Sequence, residues 1–214
     1  MITSAVGRPR QLAALAVPAA RVIGWQPMVA ASLGAVALVA LGTPAGAPLR
    51  LSIAGACLAA SAAFVIDDPA AVTVATSPTS LFVRRALRAA AAAVGAGMGW
   101  SAALAMTSSR VDALAIWPAT VEFAAFLVVA LAVSAVAASL GDGTDGAITG
   151  AVVTMVCFAS TFLPEPPWLP FPPDPAAPGA GRRLLLILAV AALVLAFASR
   201  DPAAGRPRGL RSVI

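Results

Sequence analysis

The sequence predicts an all-α membrane protein with six transmembrane helices. Three observations predict this class: the 214-residue chain is 60% hydrophobic, only 11% of it is charged, and its apolar residues fall into long runs. Soluble proteins are on average about 25% charged, and a soluble domain this poor in charge could not cover its surface with polar groups. Because lipid offers no hydrogen bonds to the backbone, each run is expected to be a helix.

The N-terminal segment, residues 1–25, is predicted to lie on the membrane instead of crossing it. Apolar residues of Arg8–Ile23 fall near one helical face, whereas Arg10 and Arg21 fall outside that face. Amphipathic helices of this kind lie in the plane of the interface, and Trp25 suits the headgroup level. A frayed extension of the first span is the alternative.

The six apolar runs are close to the roughly 17–25 residues that cross a bilayer as a helix. Short Pro/Gly turns or polar links separate them. The predicted spans are residues 27–42, 49–66, 86–107, 118–140, 147–163 and 184–198. Together they form a transmembrane domain over residues 26–199, and a polar, basic cytoplasmic tail follows over residues 200–214.

The arginines predict the orientation of the chain. All 14 basic residues are Arg, and ten of them fall in the N-terminal segment, the link between spans two and three, and the tail. The remaining four fall in the opposite loops. Because cytoplasmic segments carry an excess of basic residues, both termini are expected in the cytoplasm, which agrees with an even number of spans.

Several kinds of chemistry find no support in the sequence. The chain has no His, and Cys57 and Cys157 lie singly in apolar runs without metal-ligand spacing. No nucleophile constellation, phosphate-binding loop or dinucleotide fingerprint is visible. The arginines lie between apolar runs and at the ends of the chain, unlike the basic face of a nucleic-acid-binding protein. We therefore expect no catalytic, metal or cofactor residues, and any ATP hydrolysis would belong to another chain.

The link between spans two and three is the most informative segment. Asp68-Pro69 and Ser77-Pro78 each combine an N-cap residue with proline at the first helical position. Two capped starts in so short a link predict an ordered elbow, which we interpret as a docking helix for a cytoplasmic partner. A solvated loop with topology-setting arginines is the alternative. The candidate docking residues are Asp67, Asp68, Pro69, Val72, Thr73, Thr76, Arg84, Arg85 and Arg88.

Two features of the opposite side are candidates for substrate binding or gating. Trp168 and Phe171 lie in the Pro-rich stretch 164–178 and are too apolar for an ordinary exposed loop. They predict a stiff hairpin that rests in the outer interface or dips back into it, with a rigid extended linker as the alternative. Glu122 is an ionisable residue inside a span, which marks it as a functional candidate, although it lies close enough to the outer end to snorkel.

The order of these parts resembles the ABC-2 type (type V) ABC exporter permeases. That family has an interfacial connecting helix, six spans, a cytoplasmic coupling helix and an outer re-entrant segment, to which residues 8–23, 67–76 and 164–178 would correspond. The pattern Asp67-Asp68-Pro69…Pro78-Thr79…Arg84-Arg85…Arg88 also resembles small membrane subunits of actinobacterial ABC transporters. The resemblance covers nearly the whole chain but is architectural.

The resemblance implies a multi-pass permease subunit in the plasma (inner) membrane that exports a hydrophobic or amphipathic compound such as a drug, lipid or peptide. It implies a homo- or heterodimer of permeases, with ABC ATP-binding subunits docked beneath the coupling helices and holding the ATP. Two other functions stay open. One is the substrate-binding membrane subunit of an energy-coupling vitamin importer, although the spans hold few uncharged polar residues; the other is a non-catalytic membrane scaffold.

Overall fold

The computed structural model describes residues 24–43, 46–66, 81–107, 113–140, 146–163, 171–172 and 174–199. Within these residues the chain forms six α-helices and no β-strand. The predicted interfacial helix, the docking helix and the tail lie outside them. The helices are α1 Gln26–Ala40, α2 Ala47–Ile66, α3 Leu81–Thr107, α4 Ala113–Leu140, α5 Gly146–Ser160 and α6 Ala180–Ala198.

Each helix overlaps one predicted span, so the prediction of an all-α chain is confirmed. Four helices are long and apolar enough to cross a membrane: α2, α6, and the stretches Val83–Thr107 of α3 and Ile116–Leu140 of α4. α1 and α5 have 15 residues each. At 1.5 Å per residue such a helix is about 22 Å long, which is less than the roughly 30 Å hydrocarbon core of a bilayer.

Two helices begin earlier than the predicted spans. α3 begins at Leu81 and therefore includes Arg84 and Arg85, whereas the predicted span begins at Ala86 after these charges. α4 begins at Ala113, so Pro118 lies inside the helix instead of starting it. Proline lacks a backbone N–H, but so close to an N-terminus it removes a single intrahelical hydrogen bond and the helix continues.

α2 and α4 form the centre of the bundle. α2 packs against α1, α3, α4 and α5, whereas α4 packs against α2, α5 and α6 and touches α3 over a short stretch. The buried face of α2 is made largely of small residues, among them Ala54, Ala59, Ala62 and Ala63. Without large side chains the helix backbones can approach closely, which is how helices associate in lipid.

One glycine is needed for this close packing. A Cβ atom at Gly150 of α5 would lie 2.8 Å from the carbonyl oxygen of Ala130 and 3.1 Å from the Cβ of Ala63, and it would overlap the hydroxyl of Ser134. α5 therefore meets α4 and α2 at a point where no side chain fits.

Large apolar residues lie on the outside of the bundle, where a soluble protein would carry charge. Val94, Met98, Leu193 and Phe197 are each more than 60% exposed. An open groove of about 360 Å³ between α4 and α6 is likewise lined entirely by apolar residues: Val129, Ala132, Val133, Leu186, Ile187, Val190, Ala191 and Val194. Small residues inside and large apolar residues outside fit a chain whose surrounding solvent is lipid.

Candidate functional site

Side-chain contacts distinguish the two ends of the bundle. The loop end is where α5 ends and α6 begins, around residues 161–163 and 174–179; α2 and α4 begin near it. The tail end is where α4 and α6 end and α3 begins. The candidate substrate residues that the structure describes lie toward the loop end, and the candidate docking arginines lie at the tail end.

Glu122 points into the bundle. Its side chain is only 2% exposed, and the hydroxyl of Ser52 on α2 donates a hydrogen bond of 2.7 Å to its Oε2 atom. A carboxyl group removed from water needs such a donor, because an unpaired buried polar group is costly. The sequence allowed the Glu122 side chain to snorkel to the outer surface, but in the structure this side chain is buried. Glu122 instead joins α4 to the first turns of α2.

Two stacked aromatic pairs lie beside this carboxyl group along α4. Phe123 stacks on Trp100 of α3, with ring centroids 4.8 Å apart and planes 13° apart. The indole Nε1 of Trp100 donates a hydrogen bond of 3.4 Å to the hydroxyl of Thr120. Phe126, one turn after Glu122, stacks on Phe171. Stacked rings thus hold α4 to its neighbours one residue after Glu122 and one turn after it.

Phe171 turns from the α5–α6 segment into the bundle. Its side chain is 2% exposed, and its ring lies 4.6 Å from that of Phe126, with planes 13° apart. Phe126 also meets Phe158 of α5 edge to face at 6.3 Å. Of the Pro-rich stretch, residues 164–170 and 173 lie outside the described residues, so the choice between a re-entrant hairpin and an extended linker stays a prediction, while Phe171 itself is buried in the bundle. Trp168 lies outside the described residues.

Compact turns lead from Phe171 to α6. The backbone N–H of Ala176 donates to the Asp174 carboxylate at 2.9 Å, and the N–H of Ala177 donates to the Asp174 carbonyl at 3.1 Å. Gly179, at φ 84°, precedes the helix in the left-handed conformation that glycine adopts without strain. Asp174 brings a second carboxyl group to the loop end.

The three candidate docking arginines have different environments at the tail end. Arg85 donates from Nη1 to the carbonyl oxygen of Ala198 at 2.6 Å and from Nη2 to that of Ala138 at 3.4 Å. Arg88 is buried, with 7% of its surface exposed. Arg84 is half-buried, and its Nε atom has no hydrogen-bond partner in the described part of the chain. The remaining candidates, Asp67, Asp68, Pro69, Val72, Thr73 and Thr76, lie outside the described residues.

The sequence did not identify Ser52 or the bridging role of Arg85. Ser52 precedes Glu122 by 70 residues, and no spacing rule connects the two. A weak signal existed for Arg85, since neither α4 nor α6 carries a basic residue in its last turn. Cations stabilise helix C-termini, so such ends favour a cation from elsewhere.

Among the described residues, no group of three or more His, Cys, Asp or Glu side chains could hold a metal ion. Cys57 is exposed and Cys157 half-buried, and both are free thiols. The chemistry that the described residues offer is thus a buried carboxyl group, its hydroxyl donor and stacked aromatic pairs on the same helix. No protein-family model, no curated protein and no solved structure matches this chain.

Proposed function

We propose that this protein is the six-span membrane subunit of an ATP-driven ABC exporter, with ATP hydrolysis on a separate subunit. The observation that carries the proposal is the burial of Phe171 against Phe126, one turn from the buried carboxyl group of Glu122. Irregular backbone at membrane depth is tolerated where it is buried in protein or lines a cavity. In this proposal the segment that carries Phe171 re-enters the bundle near the intramembrane carboxyl group and closes one end of a transport path.

In this proposal all six helices cross the plasma membrane, with both termini in the cytoplasm and the loop end outside. The arginine distribution of the sequence supports this orientation. α1 and α5 are short, but a bilayer thins around short helices at a cost of fractions of a kcal/mol per Å of mismatch. Phe162 and Leu163, exposed apolar residues after α5, extend its apolar surface by one turn.

The substrate would pass Glu122 and leave at the loop end. Phe171 would have to separate from Phe126 for that end to open, and Trp168 is proposed to line the same route. The aromatic rings of Phe126 and Phe171 and the acidic group of Glu122 suit an amphipathic compound that has an apolar body and a polar or cationic head. A drug, a lipid or a peptide would meet this description.

The ATPase is proposed to dock at the tail end, on the segment before α3. Its candidate contacts are Asp67, Asp68, Pro69, Val72, Thr73 and Thr76, with Arg84 beside them at the start of α3. Arg85 and Arg88 would contribute from within the bundle.

Co-purification tests the proposal. The full chain, tagged at its C-terminus and extracted in mild detergent, should bring down a nucleotide-binding subunit identified by mass spectrometry. Val72→Asp should abolish that association without affecting membrane insertion, whereas the matched control Val72→Leu keeps an apolar side chain at the same position and should retain it. Absence of any ATPase from the wild-type preparation would refute the assignment.

The second candidate is a substrate-binding membrane subunit of an energy-coupling vitamin importer. The hydrogen-bonded pair Glu122–Ser52 favours it, because a buried polar pair could hold a polar ligand. Such a subunit binds its vitamin tightly by itself. A rise of several degrees in the melting temperature of the isolated chain with one vitamin would favour this candidate over the exporter.

A further inference from the structure

One arginine holds the ends of two helices. Arg85 lies in the second turn of α3, and its two terminal nitrogens donate to Ala198 at the end of α6 and to Ala138 in the last turn of α4, at 2.6 and 3.4 Å. In the chain, Arg85 is 113 positions from Ala198 and 53 positions from Ala138. The contact therefore joins elements that are remote in sequence.

The chemistry of these helix ends explains the contact. The last carbonyl groups of a helix have no intrahelical partner and form the negative end of the helix dipole. Neither α4 nor α6 has a basic residue in its last turn, so neither helix supplies its own cation. A guanidinium group carries several donors in one rigid plane and can serve two carbonyl groups at once, which the point charge of lysine does less well.

The hydrogen bond from Arg85 to Ala198 connects α3 with the end of α6. α6 packs against α4, and in the described part of the chain α3 and α6 are not neighbouring helices. α3 itself touches α4 over only a short stretch. α2 packs against both α3 and α4, and the Arg85 side chain adds a direct contact from the start of α3 to the ends of α4 and α6.

We infer that Arg85 is a positioning residue that transmits movement of the segment before α3 to the C-terminal ends of α4 and α6. α4 carries Glu122 and Phe126 toward its other end, so a rigid shift of this helix reaches the loop end. The direction of the signal rests on the proposed function, because it places the ATPase on the segment before α3. The clamp, by which we mean the two hydrogen bonds from Arg85 of α3 to Ala138 of α4 and Ala198 of α6, does not rest on the proposed function.

Hydrogen exchange of the full chain in lipid nanodiscs tests the clamp. Loss of a charge-assisted hydrogen bond at each end should raise exchange in the last turns of α4 and α6 about tenfold in Arg85→Gln. Arg84→Gln removes the same charge one residue away and should leave both turns within about twofold of wild type. Unchanged exchange in Arg85→Gln, or an equal increase in Arg84→Gln, would overturn the inference.

Arg85→Lys keeps the positive charge that orients the chain in the membrane. It tests the bridging role of Arg85 if Arg85→Gln does not fold. Its single ammonium group should protect one of the two helix ends and leave the other exchanging faster. Protection of both ends at the wild-type level would contradict the bridging role. Exchange in the centre of α2, around Leu58, should be the same in every variant and reports intact folding.

Transport by the complex tests the transmission. Arg85→Gln should retain the ATPase but move at least several-fold less substrate per ATP hydrolysed than wild type, and Arg85→Lys should restore part of the loss. A wild-type ratio in Arg85→Gln would overturn the transmission. If wild type brings down no ATPase, the proposed function fails and the transmission fails with it, while hydrogen exchange still decides the clamp.

Discussion

Phe171 and Phe126 stack at 4.6 Å, although one belongs to the segment between α5 and α6 and the other to the middle of α4. Both side chains are almost fully buried. This contact attaches Phe171, in the segment between α5 and α6, to the central helix one turn from Glu122. Stability and function should both depend on it.

Phe171→Ala should destabilise the protein by about 3–5 kcal/mol, because it removes a buried ring and leaves a cavity. Reversible denaturation in mixed micelles measures the change. Phe162→Ala is the matched control, since Phe162 also lies between α5 and α6 but is 59% exposed. Its substitution should lower the free energy of unfolding far less. Equal losses in the two variants would show that Phe171 does not seal the loop end.

Ser52→Ala should cost about 1–3 kcal/mol, because the Glu122 carboxyl group would stay buried without its donor. Glu122→Gln keeps the shape of the side chain and should change stability less, yet it should lower transport at least tenfold if the acid contacts substrate. The same denaturation assay and a transport assay separate the two effects. Wild-type transport by Glu122→Gln would remove this residue from the substrate path.

Gly150→Ala should destabilise the bundle by about 1–3 kcal/mol, because the added methyl group collides with the backbone of Ala130 and forces α5 away from α4. Gly97→Ala is the control, since no atom lies within 4 Å of the added group, and it should be neutral or stabilising by up to about 1 kcal/mol. Melting temperatures in one detergent compare them. A neutral Gly150→Ala would contradict the close packing.

Single cysteines test the span count. In a Cys57→Ala, Cys157→Ser background, Thr43→Cys and Leu163→Cys should react with a membrane-impermeant maleimide added outside intact cells, whereas a C-terminal epitope should stay inaccessible. Both positions follow the short helices α1 and α5, so they report whether these helices cross. Failure of either cysteine to react would contradict the prediction of six spans.

Hydropathy made the helices predictable, because runs of apolar residues have few other stable structures in lipid. Their starts were less predictable, since Arg84, Arg85 and Pro118 read as boundaries but lie inside helices. Glu122 stood out as an acid within a span, and Phe171 as an aromatic residue among prolines. The partners of these residues depend on how helices pack, so Ser52, Phe126 and the carbonyl groups held by Arg85 could not be read from spacing.

The central claim is that ATP used at the tail end opens the loop end. The most direct measurement is the rate at which a small external thiol reagent modifies Ser52→Cys, in a background without native cysteines, in the reconstituted complex. Ser52 contacts Glu122, and cysteine nearly preserves its shape. We predict that ATP raises the modification rate several-fold and that a non-hydrolysing ATPase variant abolishes this increase. A rate unaffected by ATP, in a complex that hydrolyses it, would contradict the account.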